Sequence, residues 1–239
     1  SSKPESYAFI PDPAEWQMRS DARYLHICSN ETIGGLQFKS FPEARVPLVA
    51  DMSSDILSRP IEMDRFDLIY AGAQKNIGPA GLTVVIVKKA LCGNARAETP
   101  IFLDYAAQAD ADSMSNTPPT YSWYLAGLVF AWLKQQGGLE GIAKLNDRKA
   151  GKLYSAIGAS NFYRAPVDKP YQSNMNVPFT LAEAALDGEF LQGAEARGLL
   201  NLKGHRSVGG MRASIYNAVP EAAIDVLVDY MAEFEQTHA

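Results

Sequence analysis

The chain predicts an α/β fold, a mostly parallel sheet followed by a smaller α+β region, and three features carry that reading. The first half alternates short apolar runs with polar turns, the second half switches to helical periodicity, and 47% apolar residues in 239 supply a large core. The early runs are Tyr24–Cys28, Pro47–Met52, Asp67–Ala71 and Leu82–Lys88. Several are continuously apolar or β-branched, the pattern of parallel strands buried on both faces. Ser53–Leu57 has room for a turn or two. From Glu98 to Thr120, Pro and Asp dominate, and the stretch reads as a long loop stiffened by Asn116-Thr117-Pro118-Pro119. Loops of that length usually serve function or contacts.

Tyr121–Gln136 is a strongly apolar helix stopped by Gly137-Gly138. Leu139–Ile157 is amphipathic and lysine-studded. Asn174–Leu181 and Arg212–Tyr216 read as strands, and Asp187–Arg197 as a helix. Pro220–Gln236 closes the chain as a helix with an apolar stripe at Ile224, Leu227, Val228, Met231 and Phe234. The change of character near Gln136–Leu139 divides the chain into residues 1–136 and 137–239. Trp123 and Trp132 lie on the apolar helix and are expected in its core contacts.

Composition narrows the function. Aromatic residues at 10% with 18 Gly and 14 Pro exclude disorder and low-complexity sequence. A net charge of −5 and a pI near 5.3 argue against general binding to nucleic acid or anionic membranes. No apolar run reaches the roughly 20 residues of a membrane span. The start, SSKPESYAFIPDP, has no initiator Met and no apolar centre of a signal peptide, so a processed, truncated or incomplete chain is expected, and its sparse cysteines fit a reducing cytoplasm. Cys28 and Cys92 make neither a disulfide framework nor a metal set, and Cys28 within YLHIC reads as a buried free thiol. No His, Cys and carboxylate cluster has ligand spacing, so no metal is expected. His26 stands in a strand without an evident partner, and His238 is terminal.

The segment with chemistry is Ala71–Gly81, AGAQKNIGPAG. It puts Lys75 just after a buried strand, over the crevice where α/β sheets bind ligands, among glycines that allow close approach. A partly desolvated lysine there can form a Schiff base; the plain alternative is a solvated turn lysine. Asp51 ends the preceding run, VPLVAD, and parallel strands bring both side chains to one sheet edge. Pyridoxal phosphate needs such a lysine, and an acid for its ring nitrogen. Otherwise Asp51 simply caps the SSDIL turn. Arg212, after Gly209-Gly210, can grip a carboxylate bidentately, and His205-Arg206 adds a second cationic point.

Together AGAQKNIGPAG, VADMSSDILSRP, SNETIGG, SNTPPT and KGHRSVGGMRASIYN resemble the phosphoserine aminotransferases, class-V pyridoxal-phosphate enzymes of fold type I. The resemblance runs through the whole chain. It implies that residues 1–136 are the C-terminal part of the cofactor-binding large domain and residues 137–239 the small C-terminal domain. It makes Lys75 the Schiff-base lysine, Asp51 the ring-nitrogen partner, Thr32 the neighbour of the ring oxygen and Gln74 a phosphate contact. Asn116 and Thr117 match residues that reach the cofactor phosphate of a neighbouring subunit, which implies a homodimer. Arg212 falls on the substrate α-carboxylate, with His205 and Arg206 at the distal anion.

The implied reaction exchanges an amino group between L-glutamate and 3-phosphohydroxypyruvate, giving 2-oxoglutarate and O-phospho-L-serine in serine biosynthesis. A bacterial branch uses 4-phosphohydroxy-L-threonine in pyridoxine biosynthesis. Family members are about one and a half times as long. An N-terminal part with a glycine-rich phosphate loop, a ring-stacking aromatic and a further His-Arg pair is therefore expected to be lacking. The alternatives are a non-catalytic fragment, or another fold-type-I activity such as cysteine desulfuration, which needs an activated exposed Cys.

Overall fold

The computed structural model of the chain describes residues 2–3 and 7–238. Its first sheet contains β1 (Leu25–Cys28), β2 (Leu48–Asp51), β3 (Leu68–Gly72) and β4 (Thr83–Val87), in that spatial order. The pairs β1/β2 and β2/β3 are parallel, in a register that aligns Cys28 with Asp51 and Asp51 with Tyr70. Three strand ends thus meet at one edge. Leu48, Ala50, Ile69 and Ala71 point into the core, with Ile56, Phe66 and Ile77 from the connecting turns.

β4 departs from the expectation of a strand buried on both faces. It runs antiparallel to β3 at the sheet margin, and Val85 and Ile86 are exposed. The stretch between Gly72 and Thr83 is shorter than the dozen or so residues that a parallel crossover needs, so a reversal is the available geometry.

The Pro- and Asp-rich stretch is not wholly loop, since it contains α1 (Tyr105–Asp110), opened by Asp104, whose Oδ1 accepts from Ala106 N at 2.9 Å. Next come α2 (Thr120–Gln135) and α3 (Gly138–Ala159). Gly137, at φ +87°, takes the left-handed conformation that ends one helix and starts the next. The placement of Trp123 needs correction: it is exposed, together with Tyr121, Tyr124 and Leu128, and α2 buries only Ser122, Ala126 and Leu133.

The second sheet is antiparallel, in the order β5 (Tyr163–Arg164), β6 (Asn176–Leu181), β7 (Met211–Ser214). With α3, α4 (Asp187–Ala196) and α5 (Glu221–His238) it encloses a core rich in aromatic rings. Phe190, fully buried, lies with ring centroids 4.9 Å from Tyr230 and 5.2 Å from Phe234. Within α5 the buried positions are Ile224, Leu227, Tyr230, Met231 and Phe234, while Val228 is only partly covered. His238 is not idle: it stacks on Phe234 at 4.0 Å and pairs with Glu189 at 3.1 Å.

The loop after β1 joins the two sheets. Asn30 Nδ2 donates to Ser54 Oγ at 2.8 Å and to Asn176 Oδ1 at 2.9 Å. Gly35 lies against the Pro178 ring so closely that a Cβ there would overlap it. Beneath this junction Asp55 is buried, accepting from Ser29 Oγ and, at 3.2 Å, from Gln37 Nε2. Burial pushes its carboxyl up, partly offset by those two hydrogen bonds.

Candidate active site

β3 ends at Gly72, so Lys75 lies on the turn beyond the strand rather than directly at its end. Gly78 N donates to Ala73 O at 2.8 Å, and Ala73 and Ile77 are buried beneath the turn. That anchorage leaves Gln74 outside, folded back over Gly72, and turns Lys75 toward the loop after β1. Lys75 Nζ donates to Thr32 Oγ1 at 2.6 Å. Among the described residues Lys75 makes no ion pair, so its amine faces a neutral hydroxyl. Thr32 is held by a tight turn in which Gly35 N donates to Glu31 O at 2.9 Å.

Asp51 is the last residue of β2, at the same edge. Its Oδ1 accepts from Ser53 N at 2.8 Å, so the capping role foreseen as the plain alternative is present. Ser53 Oγ accepts from Gly72 N at 3.0 Å and ties the exit of β2 to that of β3. Tyr70 stands beside Asp51, and burial first, then the carboxylate's charge and hydrogen bond, push its phenol up. His26, for which sequence offered no partner, pairs through Nε2 with Tyr70 Oη at 3.0 Å.

Cys28 is half-buried rather than fully buried, and its Sγ lies 3.3 Å from Asn30 O. Burial, then the charges of Glu31 and Asp51, push its thiol up to about 11. A thiol held protonated is a poor nucleophile, which counts against desulfuration through Cys28.

Arg212 occupies β7, half-buried, and its Nε is buried without a partner among the described residues. A buried guanidinium N–H without an acceptor fits an incoming carboxylate. His205 and Arg206 lie on the loop before β7, where His205 Nδ1 lies 2.7 Å from Ser207 Oγ. Gly204 passes so near Gly209 O that a Cβ would collide with it, which keeps this loop tight. A cleft of about 1480 Å³ runs from Glu31, Ile33 and Gly34 to Ser207 and Val208, with Trp16 and Phe38 along its wall. Neither Lys75 nor Arg212 lines it; it lies beside the Lys75–Thr32 pair.

Asn116 and Thr117 are exposed, and Asn116 Nδ2 donates to the neighbouring Thr117 O at 3.1 Å. The single chain therefore unites Lys75 and Thr32, sets Asp51 at the same sheet edge, and leaves Asn116 and Thr117 exposed on the loop before α2. Ser53 and Tyr70 were not foreseen; Ser53 was legible only as one hydroxyl in VADMSSD.

Residues 4–227 match the aminotransferase class-V family. The chain belongs to that family. Over 239 residues it is 62% identical to the phosphoserine aminotransferase of Azotobacter vinelandii, covering 100% of this chain and 66% of that protein. The Pseudomonas aeruginosa PAO1 phosphoserine aminotransferase is 60% identical with the same coverage. The chain thus spans 66% of the length of these curated relatives. Among solved structures, phosphoserine aminotransferase from Bacillus circulans subsp. alkalophilus superposes with a TM-score of 0.96 at 46% identity, over 100% of this chain and 66% of that one. The phosphoserine aminotransferase from Trichomonas vaginalis, solved with bound PLP, gives 0.90 at 40% identity, over 94% and 64%. This class-V chain also shares its fold with alanine–glyoxylate aminotransferase from Nostoc, at TM-score 0.71 and 14% identity.

Proposed function

We propose that this class-V chain carries the lysine-bearing part of a pyridoxal-phosphate-dependent phosphoserine:2-oxoglutarate aminotransferase. The observation that carries the reading is the Lys75 amine on the Thr32 hydroxyl at 2.6 Å, with Asp51 at the same sheet edge. The residues fit the cofactor: the amine has no carboxylate partner among the described residues, and it stands on the turn beyond β3, at the sheet edge where Asp51 ends β2. When bound, the group supplies an aldehyde that takes up an amine and a ring that draws electrons from the substrate α-carbon.

In this reading Lys75 Nζ would hold the cofactor's aldehyde end, and the same amine would move a proton at the substrate α-carbon. Thr32 Oγ1 orients that amine and would contact the cofactor's ring oxygen. Asp51 keeps the ring nitrogen protonated, with Ser53 N–H fixing the carboxylate's direction. Gln74 contacts the cofactor phosphate. Arg212 grips the α-carboxylate through a guanidinium already half out of water, while His205 and Arg206 meet the distal phosphate or carboxylate. Residues 1–136 then form the cofactor side and residues 137–239 the substrate-anion side.

Asn116 and Thr117 complete the site of a second copy, in a homodimer whose contact is supported by the exposed apolar face of α2. The substrates are L-glutamate and a phosphorylated oxoacid, 3-phosphohydroxypyruvate for serine biosynthesis and the 4-phosphohydroxy-L-threonine counterpart for pyridoxine biosynthesis. A cytoplasmic setting agrees with the two free cysteines, and no described helix is long and apolar enough to cross a membrane.

The test is a peptide mass spectrum after adding pyridoxal phosphate and reducing with borohydride. A phosphopyridoxyl mass confined to Lys75 is the expected outcome; labelling spread over surface lysines would overturn the assignment.

A further inference from the structure

Beside Lys75 is a buried group that the proposed chemistry does not use. Asn76 is 4% exposed and fully engaged: its Oδ1 accepts from Asn217 N at 3.1 Å, and its Nδ2 donates to Ile56 O at 3.1 Å and lies 3.5 Å from Met175 Sδ. Asn217 Nδ2 in turn donates to Leu57 O at 2.9 Å, and Asn146 Nδ2 donates to Asn217 Oδ1 at 2.8 Å and to Ser58 O at 3.1 Å. Asn146 spends both amide hydrogens in this way and leaves its Oδ1 without a partner among the described residues. Lys149, fully buried, closes the network by donating to Ile215 O, Tyr216 O and Val219 O at 2.8 to 3.1 Å.

Three segments are joined here: the turn after Asp51 through the carbonyls of residues 56–58, the turn carrying Lys75 through Asn76, and the exit of the strand carrying Arg212 through Asn217. Buried amides with fixed donors and acceptors hold backbone segments in one relative placement, because each misalignment leaves an unpaired polar group away from water.

We infer that Asn76 is a positioning residue that fixes the Lys75 amine relative to Asp51 and Arg212 by bridging the first sheet to the exit of β7. The inference rests on the pyridoxal-phosphate reading for its consequence, but the bridge itself is a matter of this chain's own geometry.

The experiment compares the full chain with Asn76→Ala and Asn76→Ser. Two quantities are read: backbone hydrogen exchange of residues 73–78 without cofactor, and the pyridoxal phosphate concentration that half-saturates borohydride-trapped label at Lys75. For Asn76→Ala both are expected to shift about tenfold, the effect of losing one buried hydrogen-bonded bridge. Asn76→Ser leaves a short hydroxyl that can replace at most one of the two backbone contacts, so it should fall between. Unchanged exchange in a folded variant would overturn the inference. So would faster exchange with unchanged labelling, because Asn76 would then stabilise the turn without aiming the amine. If Asn76→Ala does not fold, the Ser variant decides alone. If the unsubstituted chain takes no label at Lys75, the cofactor reading fails, and unchanged exchange at 73–78 still removes the bridge by itself.

Discussion

The two hydrophobic clusters of this chain differ in how completely they are covered. Around β5–β7 the core is closed, with Phe162, Tyr163, Phe179, Phe190, Tyr230 and Phe234 in mutual ring contact beneath α3, α4 and α5. Around β1–β4 the buried set is smaller, and large apolar side chains face outward from the neighbouring segments: Tyr121 is 72% exposed, Ile101 69% and Phe102 64%. A well-packed unit holds a side chain such as Arg212 on a rigid strand, whereas a thinly covered one carries its groups on turns. Lys75, Thr32 and Asp51 accordingly stand on strand exits and turns of the first unit. The polar junction of Asn30, Ser54, Ser173 and Asn176 is where the two are brought into register.

The sharpest way to break the comparison is at the amine. Lys75→Ala should reduce pyridoxal phosphate trapping at this site to background while leaving the urea midpoint nearly unchanged, within about 0.5 kcal/mol. The side chain makes a single hydrogen bond to a half-buried hydroxyl, so the fold loses little. Full-stoichiometry label on another lysine in this variant would move the role elsewhere. The opposite profile is expected in the closed core: Phe190→Ala should cost about 3–5 kcal/mol in equilibrium unfolding. Label at Lys75 should persist in the folded fraction. A loss below about 1 kcal/mol would mean that the aromatic cluster is not what holds the second unit together.

That contrast was partly visible in the sequence. Periodicity located all the long elements, because the apolar stripe of α5 and the runs of β2 and β3 have the spacing of what they become. It missed α1, where six residues beginning with Tyr105 have no apolar stripe and depend on the Asp104 cap. It also missed β5, only two residues long. TVVIV in β4 reads alike for a buried strand and an edge strand, and Trp123 looks like core until the covering surface is seen to be absent on its side. In the candidate site, the placement of Lys75 and Asp51 at one sheet edge was legible from their positions after apolar runs. Thr32 was legible only through family resemblance, because a turn threonine has no local signature. The bridge at Asn76 was not legible at all: its partner Asn217 lies 141 residues away, and an asparagine beside a glycine-rich turn looks solvated.

A smaller effect separates the units by pH. Burial pushes the Lys149 amine down to about 8 from 10.5, with Glu221 opposing. Between those values the unfolded chain holds more protons than the folded one, so this group makes stability rise with pH from about 8 toward 10.5, and the contribution is lost below 8. Comparing urea midpoints at pH 7 and 9.5, the natural chain should gain on Lys149→Met at the higher pH. An equal difference at both would show that the three carbonyls hold the amine charged throughout.

The smallest effect is expected on the open face. Tyr121→Ser removes a side chain that is 72% exposed, so within one chain it should change unfolding by only about 0.5 kcal/mol. If a second copy covers α2, the same substitution should instead show in sedimentation as dissociation at concentrations where the unsubstituted chain remains paired. The asymmetry is the informative part. A tyrosine that contributes little to its own chain but supports association belongs to a surface whose core is completed by a neighbour. Asn116 and Thr117, exposed just before the same helix, would then be carried to that neighbour's site by the contact that buries Tyr121. A monomer at all concentrations, with and without the substitution, would leave those two residues without a site to serve and remove them from the proposed chemistry.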